Sequence, residues 1–203
     1  MSTEDRREKE KQARRVGILA AAQKVFARKG YHLTNVEEIA QEASLAKGTI
    51  YLYFKTKAEL FLSLMEERTR EMFAAVPEII RAPMPAREKV LRLVQARLEF
   101  CDQNKDFFHL FMSAQFDLEP AEKEKMGRRH IEQSREQVKL VEKIVAECGP
   151  GLVTGDTSFL ASLLLGLIQS TVMRWMLSGG HKEKIEKESE IICQIFFNGI
   201  FKK

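Results

Sequence analysis

The apolar positions of this chain recur at helical spacing almost throughout. Ile18, Ala21, Ala22, Val25 and Phe26 repeat at intervals of three and four until Gly30, which supplies a C-terminal stop. Val36, Ile39, Ala40 and Ala43 then fall at i, i+3, i+4 and i+7, with Glu37, Glu38, Gln41 and Glu42 between them. This spacing predicts a short, one-sided helix from about Asn35, with Thr34 and Glu37 at capping-box separation. Ser44-Leu45-Ala46 breaks the pattern. A second short helix resumes with Ile50 and Phe54 inward, leaving Lys47, Gly48, Thr49, Tyr51, Leu52 and Tyr53 outward.

Further helices are predicted over residues 58–75, 87–104, 107–116, 121–148, 156–177 and 185–201, with Asp156 as an N-cap. Pro77, Pro83 and Pro85 mark a loop, Pro120 a break, and GPGLVTG at 149–155 a turn. No segment alternates convincingly as a strand does, so the fold class is all-α. A small three-helix domain occupies residues 1–56, and a larger helical domain residues 57–203. The first 15 residues hold Arg6, Arg7, Lys9, Lys11, Arg14 and Arg15 among acids and nothing resembling a signal peptide. They read as an arm, either a frayed helical extension or a reach into a neighbouring groove.

Charge sharpens the division. Residues 1–60 carry 12 Lys and Arg against 8 Asp and Glu, a net +4 equal to that of the whole chain. The positive excess therefore sits where two short helices present donors, a phenolic pair and a glycine, a combination suited to phosphates and base edges in a DNA groove.

Phe26 and Gly30, then Thr34, Ile39 and Ala40, then Gly48, Thr49, Ile50, Tyr51, Phe54, Lys57 and Leu60 keep an order and spacing that resembles the TetR-type (tetracycline-repressor-like) one-component transcription regulators. Two positions depart from that pattern. Ser44 stands where a turn glycine is usual, and Ala46 where a serine usually caps the recognition helix; Ala in place of a good cap typically costs about 1 kcal/mol. The resemblance implies an N-terminal helix-turn-helix domain, a C-terminal ligand-binding and dimerisation domain, and a homodimer on a pseudo-palindromic operator. By position it implies that Lys47 donates to a guanine edge and Tyr51 meets a phosphate or thymine methyl. Thr34, Thr49, Tyr53 and Lys57 would hold phosphates, with Gly48 permitting close approach.

The apolar face of residues 159–168, with Leu163 and Leu167, and the stripe containing Ile192, Ile195 and Phe196 exceed what one neighbouring helix covers, so self-association is expected there. Phe100, Phe108, Phe111, Met112, Gln115 and Phe116, with Gln169, Met173, Trp175 and Met176, form a candidate pocket for a small, mostly apolar effector. Individually each such residue is more ordinarily core, and His109 reads as a hydrogen-bonded core histidine. Release of the operator by that effector would make the protein a repressor.

No Gly-x-Ser-x-Gly elbow, His-Glu-x-x-His pair or phosphate loop is present. The four histidines are scattered and Cys101, Cys148 and Cys193 are far apart, so neither catalysis nor a metal or other cofactor is expected. Isolated cysteines without a signal peptide fit a cytoplasmic protein. The ten-residue run FLASLLLGLI is short of the ~20 apolar residues of a membrane span, so no membrane partner is expected. The alternative is a helical protein-interaction module using the same face, which a weak salt dependence would reveal.

Overall fold

The computed structural model describes residues 3–149, 152–178 and 185–200, the side chains at 3, 115–117 and 200 apart. These residues form ten helices and no strand: α1 (Thr3–Leu33), α2 (Val36–Glu42), α3 (Lys47–Tyr53), α4 (Lys57–Met72), α5 (Val76–Arg81), α6 (Ala86–Gln103), α7 (Lys105–Asp117), α8 (Pro120–Ala146), α9 (Thr157–Leu177) and α10 (Ile185–Ile200). The all-α expectation holds. Its one missed element is α5, which lies inside the expected proline loop. Pro77 falls in the first turn of that helix, where the missing N–H would have no partner anyway. From Thr3 on, the basic arm is the beginning of α1, exposed from Glu4 to Arg14, with Arg6 and Glu10 paired one turn apart at 2.8 Å.

Two compact units emerge, and they are not cut at the expected boundary between residues 56 and 57. The first comprises residues 1–68 together with 106–127; the second comprises 69–105 together with 128–203. Length and periodicity identify a buried face but not its partner, which is why α7 was assigned to the larger domain.

In the first unit, the inward faces of α1 to α4 meet at a ring cluster. Phe26 and Phe61 lie edge to face with centroids 5.4 Å apart, and Tyr31 stands 5.0 Å from Phe61 and 5.9 Å from Phe26. Such pairs add roughly 0.5–1.5 kcal/mol each beyond area burial. Phe107, Leu110, Ala114 and Leu118 pack into the same core, with Phe108 and Phe111 half-buried against it.

In the second unit, α6 packs against α5, α9 and α10. Val90, Leu93, Val94 and Leu98 of α6, Val141, Ile144 and Val145 of α8, Leu160, Leu164, Ile168 and Val172 of α9 and Ile192 and Phe196 of α10 are buried. Asp156 caps α9 as expected, its carboxylate accepting from the Phe159 amide at 2.9 Å. The whole of α9, unlike the ten-residue run within it, is long and apolar enough to cross a membrane by length and composition. Only part of that apolar surface faces its own unit: Phe159 and Leu163 are about half exposed and Leu177 is 83% exposed.

Candidate nucleic-acid interface

The reading surface is built from three polar solutions to chain reversals. The first starts α2. Asn35, not Thr34, is the N-cap: its side chain accepts from the Glu38 amide at 2.9 Å while the Asn35 amide donates to the Glu38 carboxylate at 3.3 Å. The capping box is therefore displaced by one residue from the expected Thr34–Glu37 pair. Thr34 is buried and donates its hydroxyl to the Gly30 carbonyl at 2.7 Å, bracing the bend where Gly30 adopts φ +76°.

The second joins α2 to α3. The Leu45 amide donates to the Ala40 carbonyl at 2.8 Å and the Ser44 amide to Gln41 at 3.0 Å, the two bonds of a Schellman motif. That motif requires its C′ residue to be left-handed, and Ser44 takes φ +55°. The missing turn glycine is thus met by a strained serine rather than by a different turn. Ala46 begins α3 without any side-chain cap, and the helix starts at Lys47 with the Thr49 amide donating to the Ala46 carbonyl at 2.9 Å.

The third involves Lys57. Its ammonium donates to the carbonyls of Tyr31 at 2.9 Å, Thr34 at 3.0 Å and His32 at 3.2 Å, and lies 4.5 Å from the Tyr31 ring centroid. Those carbonyls are the loose C-terminal end of α1, so the lysine completes a helix terminus. The Tyr31 hydroxyl reaches the Glu122 carboxylate at 3.4 Å. Burial and that carboxylate push the phenol well above its ordinary value, so it remains a donor.

What projects from this frame is α3. Ile50 and Phe54 are buried, with the Arg15 guanidinium 5.3 Å over the Phe54 ring. Lys47 and Gly48 are exposed, Tyr51 is 43% exposed and Leu52 83% exposed, while Thr49 and Tyr53 are half-buried. Lys47 pairs with Glu37 of α2 and stands 6.0 Å from the Tyr51 ring. The hydrogen bond between them raises the lysine and holds the Glu37 carboxyl below its ordinary 4.5. Glu38 and Glu42 are lowered in the same way by Lys29 and by Arg28 with Lys24.

Of the expected DNA-contacting residues, the structure brings Lys47, Gly48 and Tyr51 onto one open face with Thr49 and Tyr53 at its margin. Thr34 and Lys57 turn inward instead, against the expectation that they meet phosphates. Sequence reasoning missed Asn35 and the Glu37 partner of Lys47; Asn35 and Glu38 had the same three-residue spacing as Thr34 and Glu37, and only burial separates them.

The expected pocket residues divide between the units. Phe108, Phe111 and Met112 belong to the first; Phe100, Gln169, Met173, Trp175 and Met176 belong to the second. The side chains of Gln115 and Phe116 lie outside the described residues. Trp175 is buried and donates its indole N–H to Glu188, so its polar edge is already occupied. Gln169 and Met173 line an open depression of about 550 Å³ with Arg174 and Leu177. His109 is exposed, not a core histidine, because α7 directs Phe107, Leu110 and Ala114 inward. In the expected dimer surface, Leu163 and Ile195 point outward, 45% and 55% exposed, and Leu167 is half-buried. Ile192 and Phe196, by contrast, are core of their own unit; Phe159, Leu177 and Ile191 are exposed in their stead.

A short supporting helix, a tight turn and a second short helix standing outward on an aromatic-cored frame define a helix-turn-helix DNA-binding domain. Residues 18–64 match the profile of the bacterial regulatory proteins of the tetR family. The "Fatty acid metabolism regulator protein" of Bacillus subtilis (strain 168) is 26% identical over 201 residues, spanning 96% of this chain and all of that protein. Among solved structures, one described as a candidate fatty acid metabolism regulator from Clostridium perfringens is 26% identical, with a TM-score of 0.68 over 92% of this chain and all of its own. FadR of Bacillus subtilis in complex with stearoyl-CoA has a TM-score of 0.73 at 24% identity, over 91% of this chain and 98% of its own. Residues 18–64 thus carry the DNA-binding domain of the bacterial regulatory proteins of the tetR family, and the relatives that the chain resembles along its length are transcriptional regulators.

Proposed function

We propose that the protein is a cytoplasmic repressor that binds a pseudo-palindromic operator as a homodimer and is released by a small ligand with a long apolar body. The observation that carries the reading is α3, which holds Lys47, Gly48, Tyr51 and Leu52 open to solvent on a scaffold where Thr34 and Lys57 fix the approach of α2. On a duplex, Lys47 leaves Glu37 for a guanine edge, Tyr51 meets a phosphate or thymine methyl, and Thr49 and Tyr53 take flanking phosphates. Thr34 and Lys57 act by positioning.

Phe159, Leu163, Leu177, Ile191 and Ile195 leave an apolar surface on α9 and α10 that a second copy would cover, supporting a dimer. Two α3 helices would then read half-sites ~34–36 Å apart or a multiple of that. This use of α9 also accounts for its membrane-like composition without a membrane. Similarity to two fatty acid metabolism regulators supports a fatty acyl effector. The ligand must bind the DNA-incompetent state more tightly, since equal affinity for both states shifts nothing.

Selection of bound sequences from random duplex DNA, followed by screening fatty acids and acyl thioesters for release of the selected duplex, tests the reading. A palindromic consensus released by such a compound is expected; no enriched sequence would overturn DNA reading, and no releasing amphiphile would overturn the effector class.

A further inference from the structure

The apolar stripe of α6 contains a cation. Val90, Leu93, Val94, Leu98 and Cys101 are its buried positions, and Arg97 falls among them, only 5% exposed. Its guanidinium lies 4.1 Å from the centroid of the Phe73 ring, which offers one π face. Among the described residues no hydrogen-bond acceptor meets Nε or Nη1, both fully enclosed.

Lys89, two turns earlier on the same helix and equally buried, shows what a satisfied cation looks like here. Its ammonium donates to the Ile80 carbonyl at 2.7 Å and to both carboxylate oxygens of Glu147 at 2.9 and 2.7 Å. Buried charges are ordinarily paired in this way. Arg97 has no such carboxylate among the described residues. Burial pulls it down to about 10, which still leaves it charged at neutral pH. Cys101, one turn further on, is pushed up to about 12 by burial and supplies no thiolate to balance it.

We propose that Arg97 is the anchor of an anion-binding site inside the second unit, taking the carboxylate or phosphate head of an amphiphile through the N–H groups that the protein leaves unmatched. The inference rests on the reading of that unit as effector-binding and adds a requirement to it: the ligand needs a negative head as well as an apolar body. A neutral ligand of the same shape leaves the guanidinium unpaired, so the site rejects it. Charge-assisted hydrogen bonds in an enclosed setting are among the strong ones, and a guanidinium suits carboxylate and phosphate alike.

Four probes of equal chain length separate these chemistries in the full chain: laurate, dodecyl phosphate, lauroyl-CoA and methyl laurate, each titrated calorimetrically into wild type, Arg97→Met and Arg97→Lys. Wild type is expected to bind an anionic probe at least about tenfold more tightly than methyl laurate. Arg97→Met should erase that preference while keeping the affinity for methyl laurate, and should melt higher without ligand because an unpaired charge is gone. Arg97→Lys should recover part of the preference. The anionic probe that loses most in Arg97→Met identifies the head, laurate a carboxylate and the other two a phosphate. Undiminished binding of every anionic probe to Arg97→Met, or a wild type indifferent to charge, overturns the anchor while the effector reading stands. Failure of wild type to bind any of the four overturns both.

Discussion

The two units treat charge in opposite ways. In the first, the pairs Lys47–Glu37, Lys29–Glu38 and Arg28–Glu42 lie at the surface, and the core is a ring cluster of Phe26, Tyr31 and Phe61 with aliphatic neighbours. In the second, Lys89, Arg97 and Glu188 are taken into the interior, two of them paired and one not. Exposed pairs are weak and exchange readily, so a lysine can leave a glutamate for a phosphate at little cost. A buried cation cannot rearrange so cheaply, and is better suited to recognising one ligand than to tracking a polyanion. Charge location thus separates the surface proposed to meet DNA from the interior proposed to meet a small molecule.

The largest test of this contrast is the ring cluster. Phe61→Ala should destabilise the first unit by about 3–5 kcal/mol and abolish DNA binding, as circular dichroism and a binding titration would record together. Leu163→Glu with Ile195→Glu should convert a dimer to a monomer by analytical ultracentrifugation and weaken operator binding about a hundredfold or more, because the second half-site no longer binds intramolecularly. A dimer that survives both charges would move the interface elsewhere.

Smaller effects sort the DNA face itself. Lys47→Ala should relax base preference at one half-site position by ~1–3 kcal/mol. Lys57→Ala should lower the melting temperature of the DNA-free protein, by ~1–2 kcal/mol in stability, and leave the slope of affinity against salt unchanged, since its donors are committed to carbonyls. A shallower salt slope would return Lys57 to the phosphates. Ser44→Gly should stabilise the protein by about 1 kcal/mol by relieving the left-handed serine.

The smallest effect is with pH. Glu37, Glu38 and Glu42 are held below 4.5 by their cationic partners, so their contribution is complete above that value and is lost as pH falls through the folded-state values. Melting temperatures of wild type should therefore drop faster below about pH 4.5 than those of Glu38→Gln, the rest of the titration being shared.

Much of this was legible in the chain. The faces of α2 and α3 follow from spacing alone, because in so short a helix only Ile50 and Phe54 can reach inward. Periodicity does not name the partner, however. The aromatic stripe of α7 looked like a pocket wall, yet Phe107 and Leu110 close the first unit's own core. On α10 apolar residues occupy both faces, so Ile192 and Phe196 could not be told from Ile191 and Ile195 without knowing where α6 lies. Thr34 and Lys57 match the motif by position, yet their hydrogen bonds here are internal and complete the end of α1. Arg97 went unnoticed because a charged residue is ordinarily assigned to solvent, although its spacing from Val90, Leu93 and Val94 places it on the buried stripe.

DNA reading through α3 and release on binding an amphiphile can be tested together. Fluorescence anisotropy of a selected palindromic duplex, titrated with protein across a range of salt, with and without laurate, dodecyl phosphate or lauroyl-CoA, measures both halves at once. Affinity is expected to fall log-linearly and steeply with salt, to be lost on adding the anionic amphiphile and to persist with methyl laurate. Affinity flat in salt, or unmoved by all three anionic amphiphiles, would contradict that expectation.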